Sequence, residues 1–486
     1  MKQPLRSSVA FAFLVAGLAC ASACAQYPEL PDAPKAQLLA QAEQSPQQQS
    51  DQQLTNPNQG QPASQVPPPL PAPPQLPSPT GPKLTLADAE TIALAHNPNV
   101  SVAHLLQLAE AQVIREVRAG EMPSVFADLT AVGASENSRI TAGALNNSSV
   151  YDRAAGGVTV SQLITDFGRT HNLIRNAQSN AKAQLETGRA TVEDITLAVD
   201  QAFYQTLTAQ AVLRVAQQTV ATRQATGQQI GVLTNQSLRS TLDLSLANVQ
   251  VSQAQLLVLD AQNAAQSALA NLNAILGSDT DTQYDLVDET PSNPEAAPAN
   301  VDDLVQLAFR ARPDLASLND RYLAAKQFAF AEHDLLLPTV SVLADGGATP
   351  VRADQIASSW YGAAGANVSI PVFNGFGYIA RGHEADLRAR AASEQVRSLR
   401  DTIARDVRDA VLNSQLAFQR IGVNRQLLDQ ANTALELAQA RYKVGLSGIV
   451  DLTQAQLAQT QAEIGLTNAR YSYQTALAMI RYQTGQ

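Results

Sequence analysis

The sequence predicts a mainly α-helical chain built from two tandem repeats, each carrying one β-hairpin between long helices. Three observations predict it. First, landmarks recur along the chain: Pro98 with Pro313 and Pro123 with Pro338, each 215 residues apart, then Asp243-Leu244 with Asp451-Leu452 and Gly277 with Gly485, each 208 apart. A recurrence at nearly fixed spacing marks a duplicated unit. Second, Ala, Gln and Leu dominate long stretches, while charged residues are 16% and aromatics 5%; that composition suits long, closely packed helices. Third, short runs alternating at period two, such as Gly156-Gly157-Val158-Thr159-Val160-Ser161, read as strands.

The first 25 residues read as a secretory signal: Lys2 and Arg6, then the apolar run Val9–Leu18, then small residues from Ala19 to Ala25. Both cysteines, Cys20 and Cys24, fall there, so the mature body has no disulfide framework. Cleavage at Ala23-Cys24-Ala25 and lipidation of one cysteine are both open. Residues 26–82, rich in Pro, Gln, Ala and Ser, cannot build a packed core and read as an extended tether. The first repeat covers residues 83–277, an acidic, Pro-rich linker residues 278–300, and the second repeat residues 301–486.

In the first repeat Thr85 is the expected N-cap of a helix. His96-Asn97-Pro98 interrupts that helix and Pro123 closes it. Strands are expected at Ser124–Val132 and Gly156–Ile164, and Asp166-Phe167-Gly168 turns the chain out of the sheet. A long helix runs from Arg169 to about Leu233, with Ile195, Ala198, Val199, Ala202 and Phe203 on one face. Asn235–Arg239 is a turn into a second helix ending near Gly277. The second repeat copies this order and turns at Gly445-Leu446-Ser447-Gly448, where both glycines are expected to supply φ > 0.

At about 1.5 Å per residue each long helix spans roughly 100 Å. Two shorter helices stacked end to end match it, giving a rod. No segment approaches the roughly 20 apolar residues of a membrane helix, so any membrane crossing falls to the strands. Four strands cannot close a barrel, and lipid does not tolerate an open edge. Chains must then pool strands, in a number the residues do not fix. Heptad spacing of Leu457, Ile464 and Tyr471, and of Ala462, Ala469 and Ala476, suggests a seam for side-by-side assembly.

The order of Leu84-Thr85-Leu86-x-x-Ala89, Asn97-Pro98, Asp166-Phe167-Gly168, Pro371-Val372-Phe373-Asn374-Gly375-Phe376-Gly377 and Ala440-Arg441-Tyr442-x-x-Gly445 resembles the TolC-type outer-membrane efflux proteins over residues 84–485. The resemblance implies a homotrimer whose pooled strands form a twelve-stranded transmembrane β-barrel in outer-membrane lipid, continuous with a trimeric α-barrel crossing the periplasm. It implies two partners at the far end: a periplasmic adaptor (membrane fusion) protein and an inner-membrane pump of RND or ABC type. It also makes the two helical turns a periplasmic gate. Tyr442 and Asp243 fall where the family pairs a Tyr with an Asp, and Asp451 where each chain gives an Asp to an acidic ring. Gln454 stands where a second ring Asp is usual, and Ser447 where some members carry a basic residue, for which Arg239 is a candidate substitute. Without that role, Asp243 and Asp451 are helix N-terminal carboxylates favoured by the macrodipole.

The net charge of −10 argues against a nucleic-acid surface. There is no G-x-S-x-G, no GK[ST] and no Cys/His cluster; the five histidines are scattered. The sequence therefore points to no enzyme, no metal and no cofactor. It points to a passive outer-membrane exit duct for small molecules such as drugs, toxic compounds or metals. Type I protein secretion is the alternative in the same class. A periplasmic coiled-coil adaptor is the alternative outside it.

Overall fold

The computed structural model describes residues 81–133, 139–140, 148–149, 153–280, 282–291, 294–296, 300–351 and 359–486. The signal, both cysteines and nearly all of the Pro-rich tether lie outside the described residues.

Strand β1 (Lys83–Leu84) leads into α1 (Leu86–His96), which the Thr85 hydroxyl caps by accepting from the Asp88 N–H at 3.2 Å. Asn97 ends α1 and caps α2 (Pro98–Ala119), with Pro98 in the first turn where no N–H is needed. Next come β2 (Ser124–Val132), the two-residue pair β3 (Arg139–Ile140) and β4 (Ser148–Ser149), and β5 (Arg153–Thr165). The Asp166 carboxylate accepts from the Thr170 N–H at 2.7 Å and so fixes the start of α3 (Arg169–Asn235). Helix α4 (Thr241–Ile275) returns beside it.

The second repeat follows the same plan. A short β6 (Asp285–Leu286) precedes α5 (Val301–Ala311), α6 (Pro313–His333), β7 (Thr339–Val351), β8 (Trp360–Ser369), α7 (Gly377–Lys443) and α8 (Ile449–Thr484). Helices α3 and α7 are each 67 residues long, hence about 100 Å. Within its own repeat each packs along its length against two shorter helices, α3 on α2 and α4, α7 on α6 and α8, and α3 also packs on α6 and α8 of the other repeat. The repeat-matched glycines have a common cause. Gly277 (φ 75) and Gly485 (φ 72) end α4 and α8 in the left-handed region. A Cβ on Gly277 would sit 2.7 Å from the His96 carbonyl oxygen, and one on Gly485 2.9 Å from the Ala311 carbonyl carbon. In each repeat a long-hairpin helix thus stops against the break between the two short helices.

Strands β2, β5, β7 and β8 form one antiparallel sheet in that order, with β2 and β8 at the edges. At 9 to 13 residues they reach the length of membrane-crossing strands. Leu129, Val125, Val158 and Trp360 stand exposed on the sheet. No helix among the described residues is long and apolar enough to cross a membrane.

Two expectations need correction. The stretch after Gly277 is not merely a linker. β6 pairs in parallel with β1, and Leu286 is buried with Leu84, Val199, Phe203, Leu272 and Tyr471. Asp288 accepts from the Tyr471 hydroxyl at 2.7 Å, and the Glu295 carbonyl accepts from the Tyr473 hydroxyl. The segment therefore straps the helices together at mid-height. Part of the heptad seam is also internal: Ala469 packs with Ala417, Ile421 and Tyr473 at the α7–α8 contact, and Tyr471 belongs to the mid-height core, whereas Leu457 stays exposed. The small residues let α7 and α8 of one chain approach closely.

Candidate gate at the helical turns

The two turns joining the long hairpins have one backbone design. In each, the helix ends in a Schellman motif: the Leu238 N–H reaches the Leu233 carbonyl at 2.9 Å, and the Leu446 N–H the Arg441 carbonyl at 2.8 Å. The left-handed residue is Ser237 (φ 60) in the first turn and Gly445 (φ 79) in the second. Gly448 is different from expectation. Its φ is −82, and it is the N-cap of α8 without a side-chain hydrogen bond. Its counterpart Ser240 caps α4 by accepting from the Leu242 N–H at 3.1 Å. Only one glycine of the pair is needed for a positive φ.

Above the turns, Ile230, Ala247, Tyr442, Ile449 and Leu452 form a buried cluster drawn from all four long-hairpin helices. Tyr442 is its largest member. The Arg239 guanidinium lies 4.2 Å above the Tyr442 ring centroid, and its Nη2 donates to the Tyr442 carbonyl at 2.5 Å. This ties the first turn to the end of α7. The Tyr442 hydroxyl is buried with no hydrogen-bond partner among the described residues. Burial raises its pKa; Arg239 pulls it down and Asp243 pushes it up. Asp243 is thus near enough to act on Tyr442 through its field, but the expected Tyr–Asp hydrogen bond does not form within the chain. Arg239 is the residue that engages Tyr442.

Asp243 and Asp451 occupy the first turns of α4 and α8, where a carboxylate is favoured by the helix dipole. Asp451 and Gln454 are exposed and three residues apart, so they share one face of α8. The opposite face carries Leu452, Gln456 and Thr460, all buried. Gln456 meets a residue the sequence reading passed over. Arg223 on α3 is 5% exposed and donates to the Gln456 side-chain oxygen. A signal for it existed. Ala216, Val220, Arg223, Gly227 and Ile230 are buried at alternating steps of four and three, a coiled-coil core pattern. Arg223 is the one charged residue between Arg214 and Arg239.

A stem of paired long helices, tied at one end and joined at the other to strands of membrane-crossing length, is the build of an outer-membrane duct. The chain belongs to the outer membrane efflux protein family, whose model matches residues 91–278 and 304–486. It is 25% identical over 411 residues to the outer membrane protein OprJ of Pseudomonas aeruginosa, covering 81% of this chain and 84% of that one. It is 30% identical over 121 residues to the outer membrane protein TolC of Salmonella enteritidis, covering 25% of each. The chain thus spans about a quarter of the length of the TolC proteins it matches. A crystal structure of a membrane protein from Pseudomonas aeruginosa superposes with a TM-score of 0.71 at 23% identity, over 82% of this chain and 93% of that chain.

Proposed function

We propose that three copies of this chain assemble into one exit duct, which carries small molecules from a periplasmic adaptor and an RND or ABC pump to the exterior. The observation that carries this reading is the four-stranded sheet with β2 and β8 unpaired on their outer sides among the described residues. In lipid those edges must find strands of other copies, and three copies give twelve strands, a size within the range of closed membrane barrels. The helical stem supplies the periplasmic conduit and its turns the gate. Arg239 on Tyr442 holds the two hairpins of a chain together at the tip, and Asp451 faces the constriction. The duct does no chemistry, and the pump supplies the energy.

Size measurement of the detergent-solubilised protein, paired with conductance in planar bilayers, tests this. The expected result is a stable trimer that forms ion-conducting pores. A protein that stays monomeric and never conducts overturns the reading.

A further inference from the structure

Arg223 is a cation inside the helical stem, lying above the turns where α3 meets α8. Its hydrogen-bond partner is neutral. It donates to Gln456, itself 4% exposed, and the Gln456 amide in turn reaches the Thr226 hydroxyl at 3.4 Å. No carboxylate among the described residues pairs with Arg223. A small cavity of about 40 Å³ adjoins it, lined by Thr219, Thr222, Gln459 and Glu463 among others. Glu463 is engaged elsewhere, accepting from Gln459 at 3.2 Å. Burial pulls Arg223 below the usual guanidinium value.

A buried charge is tolerated when it is paired, and a neutral amide offsets only part of the lost hydration. The packed α3–α8 seam therefore carries an unrepaid cost at Arg223. That cost vanishes when α8 moves away from α3 and the guanidinium meets water. The hairpins α3/α4 and α7/α8 are each tightly paired along their length, and the seam between them near the tip rests on the Tyr442 cluster, on the Arg239–Tyr442 contact and on this contact.

We propose that Arg223 biases the gate toward opening, and that its hydrogen bond to Gln456 is the latch that holds the seam shut against that bias. The proposal rests on the reading of the turns as a gate. It predicts opposite signs for two neighbouring substitutions. R223Q removes the buried charge and keeps a hydrogen-bonding side chain, so the closed seam gains. Q456L strands the charge, so the closed seam loses.

Planar-bilayer conductance of the full-length protein tests this, with oligomer size in detergent as the check on folding. Q456L is expected to raise the conducting fraction about tenfold, the scale of one lost hydrogen bond to a charged group. R223Q is expected to lower it below wild type, and R223Q/Q456L to remain low, because no charge is left to strand. If both single variants raise conductance, Arg223 is simply part of the packing, or pairs with Glu463 through water, and the proposal is overturned. If neither moves it while Tyr442→Ala opens the pore, the gate reading stands and this inference falls. If Tyr442→Ala is also silent in a conducting trimer, the gate reading itself fails.

Discussion

At the scale of single residues, the tip is held by an arginine whose partners are a ring face and a backbone carbonyl. Neither is a charge, so the contact is little affected by salt; stacking on Tyr442 contributes about 1–2 kcal/mol where the guanidinium is partly desolvated. The Tyr442 hydroxyl contributes nothing within the chain, and a buried hydroxyl without a partner costs roughly 1–3 kcal/mol. Tyr442→Phe is therefore expected to keep or raise the thermal midpoint of the detergent-solubilised protein and to leave its bilayer conductance unchanged. Arg239→Ala should raise conductance, because it removes both the stack and the 2.5 Å hydrogen bond. Should Tyr442→Phe open the pore as Arg239→Ala does, the hydroxyl has a partner in the assembly, and Asp243 becomes the first candidate.

At the scale of elements, the middle of the stem is where helices of both repeats meet the strap. Asp200 on α3 is buried there beside Arg481 of α8, at 3.0 Å, and within reach of Glu90 on α1. Burial pushes Asp200 up to about 7; Arg481 opposes this and Glu90 adds to it. Glu193, one heptad earlier, is pushed to about 7 by burial and by Asp314, with Arg312 opposing. Both shifts are upward from ordinary carboxylate values, so the folded chain holds protons that the unfolded chain has released. The stability linked to these groups is full below about pH 4 and is lost as pH rises through about 7. Melting in detergent at about pH 5 and about pH 8 should show a fall of roughly 2 kcal/mol or more, and Asp200→Asn and Glu193→Gln should each flatten part of it. A slope unchanged in both variants would assign the pH dependence to other groups. The helices that meet here were legible because each signal is local: Thr85 as a cap, Asn97-Pro98 as a break, the one-sided apolar face from Ile195 to Phe203 along α3. The strap was not. A two-residue strand has no periodicity to detect, and β6 finds its partner β1 about 200 residues away. Acidic, Pro-rich composition looks like linker whether or not Leu286 is buried. The candidate gate was half legible for a related reason: the Gly445 turn is written locally, whereas the stack joins Arg239 and Tyr442, 203 residues apart.

At the scale of the whole molecule, the described residues carry two open sheet edges at one end and two turns at the other, and the proposed trimer is the assembly that would close both. The duplicated plan places Asp243 and Asp451 at equivalent points of the two hairpins, but the hairpins are not interchangeable at the tip. Asp243 lies beside the Arg239–Tyr442 contact, whereas Asp451 is exposed with Gln454 on the same face. In a trimer Asp451 is thus the carboxylate that can stand free toward the axis, three of them at one constriction. Like charges crowded in a narrow, low-dielectric opening attract cations and resist anions. With Gln454 in place of a second acid, that proposed arrangement leaves one layer of charge to set the selectivity. Asp451→Ala should therefore remove most of the cation preference in a salt gradient across a planar bilayer, and Asp243→Ala should remove little of it. Raising the salt to about 1 M should weaken the wild-type preference toward that of Asp451→Ala, because the screening length shrinks to about 3 Å. Selectivity that survives Asp451→Ala unchanged would place the charge that governs permeation elsewhere along the duct.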